Sequence, residues 1–270
     1  LVRSWLTGRR LVSIPFAFYA DPVVRSPEDF RLLFQALLDL KKQERASYVE
    51  IKCRNSEDIL TRSGLMEPVH YYRTYYVDLA AGLDAIWERF HRSCVKQKIS
   101  RAQRSGIHVR PAAFDTDISA FHALLCSNRR QLGLPPQKPE FFRNIWRELV
   151  PSRLASFYVA LTGDRLVGGL CTFAFKDTVF LAYIAADESL RTNGVGQLLV
   201  WTAIQDAAQR GFAIVDIGKT SPYAKGLTQY KKHLGGIEAA APSFYYPHSM
   251  GVASHEDERQ LVHRAMRLCW

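Results

Sequence analysis

The residues with the clearest chemical meaning form the run Arg191-Thr192-Asn193-Gly194-Val195-Gly196, which follows an apolar stretch and precedes a helical pattern. This order predicts a strand, a loop and a helix N-terminus. The first N–H groups of a helix have no partner inside it, and the helix dipole adds positive charge there. Glycines let a ligand approach the backbone closely. The run therefore predicts an anion site that fits a pyrophosphate, with plain loop glycines as the alternative.

Strand and helix patterns surround this run on both sides. Apolar and alternating stretches predict three antiparallel strands before it, at Ser156 to Leu161, Arg165 to Phe175 and Thr178 to Ala186. After it, helical spacing of apolar residues predicts a helix over Gln197 to Arg210, and a buried strand follows at Phe212 to Ile217. The predicted order is a meander, an anion loop, a helix and one more strand.

The R-x-x-G-x-G spacing and this order of elements resemble the GNAT-type N-acyltransferases. The resemblance implies a coenzyme A pyrophosphate loop, in which the two glycines admit the phosphates and Arg191 opens the turn. It also implies that the last two strands splay apart to admit the acyl donor. Acyl-CoA is therefore the implied co-substrate.

Composition limits the class of protein. The chain has 270 residues, of which 47% are hydrophobic, as in a folded globular protein with one large or two ordinary domains. Its five cysteines are odd in number and lack C-x-x-C spacing, so we expect neither a disulfide framework nor a metal site. A cytoplasmic location is the corresponding expectation. The longest apolar stretches are too short to cross a bilayer. Arg3, Arg9 and Arg10 interrupt any signal-peptide core, and Leu1 as first residue suggests a trimmed or incomplete chain.

Positive charge is concentrated between Ile86 and Arg110. This segment holds seven Lys or Arg residues and one acid, Glu88, and so supplies +6 of the net charge of +10. Its apolar residues keep helical spacing, which predicts a basic helix with its cations on one exposed flank. That flank is either a solvated surface, or it attracts a phosphate-bearing ligand, a nucleotide sugar, an anionic lipid surface or RNA.

Landmarks along nearly the whole chain resemble the Fem-type branch of the GNAT superfamily. They are Arg10-Leu-Val-Ser-Ile-Pro-Phe16, the tyrosine-rich strand ending in Asp78-Leu79, Lys98-Ile-Ser-Arg-Ala102, Arg130-Gln-Leu-Gly-Leu-Pro135, Asp216-Ile-Gly-Lys-Thr220 and Gly226-Leu-Thr-Gln-Tyr-Lys-Lys-His-Leu-Gly235. Members of that branch have two GNAT-like lobes. They include peptidoglycan-bridge aminoacyltransferases, which use aminoacyl-tRNA, and exopolysaccharide-associated relatives. Against that plan, the first strands of lobe one are missing from this sequence.

The expected fold class is α/β of the α+β kind, with tandem GNAT-like lobes and mixed, mostly antiparallel sheets flanked by helices. We expect a partial first lobe over residues 1–110 that ends in the basic helix, and a second, acyltransferase lobe over residues 111–247. Residues 248–270 contain a cap-and-acid pattern followed by an apolar stripe. This pattern predicts a helix docking on the first lobe, with a dimer contact as the alternative.

The Fem-type resemblance also implies roles for residues after the last buried strand. Its aromatic-Lys pair corresponds to Tyr230-Lys231, and the lysine is implied to lie near the transferred carbonyl, where an ammonium stabilises the oxyanion. Its Asp-x-Gly-Arg pattern appears as Asp216 to Lys219, so a point charge replaces the bidentate arginine fork. Tyr223 and Tyr230 are candidate acids, with packing as the alternative. Asp216 and His233 are candidate bases. The structural alternatives are an ion pair between Asp216 and Lys219, and a purely structural role for the histidine.

Four cations complete the predicted site as substrate contacts: Lys219, Lys98, Arg101 and Arg130. The favoured function is transfer of an acyl group from acyl-CoA to an amine of a small molecule or of a cell-envelope or polysaccharide precursor. One alternative is a peptidoglycan-bridge aminoacyltransferase with aminoacyl-tRNA as donor. Another is a non-catalytic protein that keeps the GNAT shell for binding. We also expect a peripheral membrane contact, and we expect the protein to be a monomer or a homodimer.

Overall fold

A computed structural model describes residues 1–4, 8–14 and 17–248 of the chain, with the backbone alone at Ser4, Arg191 and Thr192. The helix predicted within 248–270 lies outside the described residues. Packing divides the described chain into two compact units. The first contains the described part of residues 1–74 together with 219–223 and 239–248, and the second contains residues 75–218 and 224–238.

The strands in the described residues are β1 (Val2–Ser4), β2 (Gly8–Val12), β3 (Tyr48–Lys52), β4 (Glu67–Asp78), β5 (Ile107–Pro111), β6 (Ala155–Thr162), β7 (Arg165–Phe175), β8 (Thr178–Ala186), β9 (Ile214–Thr220) and β10 (Ile237–Tyr246). The α-helices are α1 (Pro27–Gln43), α2 (Glu57–Ser63), α3 (Leu83–Arg89), α4 (Gln97–Arg104), α5 (Asp115–Gln131), α6 (Pro139–Asn144), α7 (Val195–Gln209) and α8 (Lys225–His233). Short 3-10 turns lie at Leu79–Ala81 and Glu188–Asn193, and π turns lie at Arg92–Lys96 and Ile145–Leu149.

The first unit contains β1, β2, β3 and most of β10 in that spatial order. The pairs β1–β2 and β3–β10 are antiparallel, whereas β2–β3 is parallel. Helix α1 begins as its sequence predicts, because the Asp29 N–H donates to Ser26 Oγ at 3.1 Å and Pro27 occupies the first turn, where it costs no hydrogen bond. Phe30 and Phe34 of α1 are buried in the core of this unit.

The second unit contains the predicted meander. Strands β5, β6, β7 and β8 pair antiparallel in sequence order, and β9 pairs parallel to β8. Helices cover both faces: Gly168 of β7 lies against Val195 and Leu199 of α7, whereas the next residue, Gly169, lies against Phe121 of α5. The prediction of a mixed, mostly antiparallel sheet flanked by helices is confirmed.

The predicted basic helix is interrupted, so the prediction of one continuous helix is wrong. Helix α3 ends at Arg89, Phe90 and His91 are extended, and a π turn then leads into α4. Phe90 is buried and packs edge-on against Trp201 at 5.3 Å between ring centroids, while Nδ1 of His91 accepts the N–H of Cys94 at 3.3 Å. Periodicity could not show this break because the apolar spacing continues through it.

None of the described helices is long and apolar enough to cross a membrane. Tandem GNAT-like lobes and a boundary near residue 110 remain predictions. In the packing of the chain, residues 75–110 belong to the second unit, together with the meander.

Candidate active site

The turn before α7 differs from the predicted open loop. Residues Glu188–Asn193 form a 3-10 turn that Asp187 caps, since its carboxylate accepts the Ser189 N–H at 2.9 Å. Gly194 then adopts a left-handed conformation, with φ of +80°, and is buried. A Cβ there would lie 2.2 Å from the carbonyl oxygen of Lys98. Packing against α4 therefore explains this glycine, and a role of Gly194 in binding the cofactor stays a prediction.

Gly196 is the glycine of this turn that faces open space. It is half-buried, and a Cβ there would meet only the Ile184 side chain, at 3.9 Å. The first hydrogen bond of α7 runs from the Leu198 N–H to the Gly194 carbonyl at 3.0 Å, so the N–H groups of residues 195–197 precede it. Val195 is buried against β7, and Asn193 is half-buried. An anion contact therefore fits at Gly196 better than at Gly194.

Cations of α4 lie next to this turn. Helix α4 packs against both the 3-10 turn and α7. Lys98 is half-buried there, and Arg101 is exposed one turn later. Arg130 is exposed near the end of α5, and the side chain of Arg191 is not described. The structure thus brings the backbone of Lys98 to the start of α7, and a contact between its ammonium and an anion there stays a prediction.

Strands β8 and β9 are paired over only a short part of their described length. The pairs are Thr178 with Ile214, Val179 with Val215, and Phe180 with Asp216, after which β8 continues to Ala186 and β9 to Thr220. On its other side β8 carries a bulge, because the partners of Cys171 and Thr172 are Tyr183 and Leu181. The two strands therefore have the splayed arrangement that the GNAT resemblance implies.

Lys231 is a buried lysine on α8. Its side chain reaches back to β9, where Nζ donates to the carbonyl oxygen of Gly218 at 2.8 Å, and only 6% of the residue is exposed. The Tyr75 ring lies 5.8 Å from Nζ. Burial lowers the pKa of Lys231 to about 8, and the nearby Asp216 carboxylate partly opposes that shift.

Asp216 shapes the backbone that holds Lys231. It is 2% exposed, and Oδ1 accepts the N–H of Gly218 at 2.6 Å. Gly218 has φ of +87°, a conformation that favours glycine, and its carbonyl accepts the lysine ammonium. Asp216, Gly218 and Lys231 therefore form one buried polar group at the start of the splay, and the structure brings two of the predicted catalytic residues together.

We expect the free energy of unfolding to rise, relative to that of a Lys231→Met variant, between about pH 8 and pH 10.5. The folded-state pKa of Lys231 is about 8 and its ordinary value is 10.5. Between these values the unfolded chain binds more protons than the folded one, so stability increases with pH by up to about 3 kcal/mol. Urea unfolding of both proteins across this range measures the difference. A difference that does not change with pH would contradict the lowered pKa.

The two candidate tyrosine acids lie in different surroundings. Tyr230 is half-buried, packs against the core of the second unit, and has its pKa raised by burial. Tyr223 belongs to the first unit and is 65% exposed, with its ring 6.0 Å from that of Tyr71. Packing in the core therefore explains the position of Tyr230, which agrees with packing as the alternative to an acid role for this residue.

Lys219 lies among aromatic rings of the first unit. Its Nζ is 4.8 Å from the ring centroid of Tyr19 and 5.9 Å from that of Tyr72. These cation–π contacts hold the side chain that replaces arginine in the family pattern. The Asp216 carboxylate accepts the Gly218 N–H, and an ion pair between Asp216 and Lys219 stays a prediction.

Two site residues were not predicted from the sequence. Gly218 supplies the carbonyl that binds Lys231, and Gly236 allows α8 to end close to β9, since a Cβ at Gly236 would lie 2.7 Å from the Lys231 carbonyl oxygen and 3.0 Å from Ile217. The Gly235-Gly236 pair after α8 was the available signal, because adjacent glycines often mark a close backbone approach.

Comparisons with known sequences agree with this geometry. Residues 89–232 match the family described as acetyltransferase (GNAT) domain. A curated protein of Bacillus subtilis (strain 168), "Uncharacterized N-acetyltransferase YvbK", is 33% identical over 92 residues, which are 34% of this chain. The match spans only 59% of the length of that relative.

Solved structures share the fold over most of the chain. FemX is 14% identical with a TM-score of 0.68, covering 86% of this chain and 82% of that one. The C-terminal domain of a putative lysylphosphatidylglycerol synthetase from Agrobacterium fabrum is 12% identical with a TM-score of 0.64, covering 88% and 78%. L-PGS from Bacillus licheniformis is 13% identical with a TM-score of 0.57, covering 81% and 73%. At these identities the likeness concerns the fold, and at that level it confirms the predicted Fem-type resemblance.

Proposed function

The chain belongs to the acetyltransferase (GNAT) domain family, and from this premise we propose that it transfers an acyl group from acyl-CoA to an amine of a cell-envelope or polysaccharide precursor. The single observation that supports acyl-CoA as the donor is the open space next to the backbone of Gly196, beside the first N–H groups of α7. A cytoplasmic location and a monomeric or homodimeric state belong to the same proposal.

The donor site would lie between the start of α7 and the splay of β8 and β9. The pyrophosphate would accept hydrogen bonds from the N–H groups at Gly196 and its neighbours, where the helix dipole is positive. Lys98 and Arg101 on the adjacent α4 would add charge attraction. The thioester would then extend along the gap beyond Phe180 and Asp216, where the strand pairing ends.

The reaction needs no covalent enzyme intermediate. A neutral amine attacks the thioester carbonyl, the C–N bond forms, and the carbonyl oxygen becomes an oxyanion. Collapse of this tetrahedral intermediate breaks the C–S bond, and the thiolate leaves while the extra proton of the nitrogen passes to a water molecule or to a general base. Placing the amine and the carbonyl together supplies much of the rate.

Lys231 is proposed to stabilise the oxyanion. A pKa of about 8 keeps the ammonium in excess by about tenfold at pH 7. One of its three N–H groups donates to Gly218, which fixes the direction of the side chain. Asp216 supports the charged form through its proximity. Action of Asp216 as a general base is the alternative to this support of the Lys231 ammonium.

Two tyrosines are candidates to protonate the thiolate. Burial raises the pKa of Tyr230, which makes its phenol a weaker acid toward the thiolate. Tyr223 is exposed and meets any group that enters from solvent.

The acceptor is proposed to carry phosphate. Arg130 in the second unit and, taken separately, Lys219 in the first are the proposed contacts, and a phosphorylated sugar or an anionic lipid surface would each suit such cations. The neighbouring lysylphosphatidylglycerol synthetase domain, by its name, belongs to a protein of lipid chemistry. This supports peripheral membrane contact as part of the proposal.

A second candidate function is transfer from aminoacyl-tRNA. The similarity in fold to FemX favours it, together with the cations of α3, the π turn and α4, which suit a nucleic-acid backbone. Acyl-CoA is preferred over this candidate because Gly196 leaves the backbone open beside a helix N-terminus, a feature that a tRNA donor does not require.

We expect acetyl-CoA, longer acyl-CoAs and free CoA to raise the melting temperature, and ATP at the same concentration to raise it less. A ligand at 100 times its Kd stabilises the folded state by about 2.7 kcal/mol, enough for a clear shift. Differential scanning fluorimetry gives the measurement. Absence of any CoA-dependent shift, together with a shift caused by charged tRNA, would replace acyl-CoA by the aminoacyl donor.

A further inference from the structure

Three side chains with metal-binding chemistry meet at the end of α8. They are His91, Cys94 and His233, and one ligand atom from each lies within 4.8 Å of the other two. His91 and Cys94 flank the start of the π turn after α3, whereas His233 is the last residue of α8. The three residues are far apart in sequence and belong to the same compact unit.

The backbone fixes this arrangement. The His91 N–H donates to the His233 carbonyl at 2.9 Å, which holds the π turn against the end of α8. Nδ1 of His91 accepts the Cys94 N–H at 3.3 Å and lies 3.4 Å from Ser93 Oγ, so its lone pair faces the turn that carries the thiol, and a metal bound at Nδ1 would replace this hydrogen bond. The His91–Cys94 spacing therefore places one nitrogen and one sulfur on the same side of a single turn.

The two imidazoles lie against each other. Their ring centroids are 4.2 Å apart with an interplanar angle of 42°. The side-chain amide of Gln229, one turn earlier on α8, lies 2.7 Å from Nε2 of His233 and restrains that ring. With the amide turned so that its oxygen accepts from Nε2–H of His233, Nδ1 of this ring is the nitrogen left to bind a metal.

We propose that His91, Cys94 and His233 bind one divalent transition-metal ion of the zinc class, with a fourth position open to water. Two imidazoles and one thiolate are a donor set that zinc accepts. Zinc binds imidazole nitrogen at about 2.0–2.1 Å and thiolate at about 2.3 Å, which sets ligand atoms about 3.3–3.8 Å apart. The three side chains would close by about 1 Å, a movement within reach of small side-chain rotations.

The site would act as a clamp on α8. It would join the end of this helix to the turn between α3 and α4, in addition to the single backbone hydrogen bond there. Arg89 and Arg92 are the nearby cations on the same segment and oppose the charge of the ion, whereas Lys232 is paired with Glu238 at 3.1 Å. The thiolate of Cys94 supplies the one negative charge in the ligand set.

Cobalt(II) titration of tag-free, chelator-treated protein tests the site. We expect one equivalent of Co²⁺ to produce a thiolate-to-cobalt absorption band that Zn²⁺ displaces. Cys94→Ser should remove the band, and His91→Ala should weaken metal binding at least about tenfold. Cys126→Ser is the matched control, because Cys126 is also half-buried and lies 3.5 Å from a histidine, His122, and this variant should keep the band.

A second measurement separates metal binding from misfolding. Zn²⁺ should raise the melting temperature of the wild type and of Cys126→Ser but not that of Cys94→Ser, whose metal-free melting temperature should match the wild type. A titration without a thiolate band would overturn the proposal. So would a band that persists in Cys94→Ser or disappears in Cys126→Ser.

Discussion

Replacement of Lys231 by alanine is expected to lower turnover by about two to three orders of magnitude while the protein stays folded. Loss of one preorganised group that stabilises an oxyanion typically costs about 10²–10³ in kcat. Folding should persist because burial already disfavours the Lys231 ammonium, as its pKa of about 8 shows, and Asp216 keeps its hydrogen bond from the Gly218 N–H. Release of free thiol from acetyl-CoA, with an acceptor amine that supports turnover, is the measurement.

Lys232 offers a matched control for this experiment. It is adjacent in sequence, half-exposed, and paired with Glu238 on the surface, so Lys232→Ala should change turnover little. Lys231→Met keeps most of the side-chain volume while it removes the charge, and it should be as inactive as Lys231→Ala. Unchanged turnover in both Lys231 variants would remove this residue from the mechanism.

The same variants address the non-catalytic alternative. A GNAT shell kept only for binding does not need a buried ammonium at the splay of two strands. A wild type with no turnover on any acyl-CoA and amine, combined with tight CoA binding, would support the binding function. A lysine-dependent rate would support the enzyme.

Gly196→Val is expected to weaken CoA binding at least tenfold, equivalent to about 1.4 kcal/mol, with little loss of stability. The structure leaves open space where the new side chain would stand, with only Ile184 at 3.9 Å, so the protein has room for it. That space is the one in which the pyrophosphate is proposed to approach the backbone. Isothermal titration with CoA, alongside thermal unfolding, measures both effects.

Gly194→Ala serves as the contrasting variant. Its Cβ would meet the Lys98 carbonyl at 2.2 Å in a left-handed backbone conformation, so we expect a large loss of stability, on the order of several kcal/mol. An equal loss of stability and of CoA affinity in Gly196→Val would mean that this glycine, too, serves architecture alone.

Local patterns predicted much of the second unit. The meander β6–β8 and helix α7 were found within two residues of their observed bounds, because alternation and helical spacing are properties of short segments. The start of α1 depends on equally local features, since Ser26 and Pro27 act on the adjacent turn.

Other features depend on contacts between distant segments. Burial of Phe90 and the capping by His91 break a helix whose periodicity continues. The packing of α4 against the turn before α7 decides that Gly194 serves a close approach and that Gly196 faces open space. No short pattern contains either fact, because each depends on which segment packs against which.

The sequence by itself determined the order of elements from β6 to β9, the glycines before α7, and the lysine after β9, because these follow from residue types at short spacing. Only the tertiary structure decided that Lys231 is buried against the Gly218 carbonyl beside Asp216, and that His91, Cys94 and His233 meet. Burial, pKa and ligand distances are properties of three-dimensional neighbours. These three quantities are therefore defined only once the chain has folded.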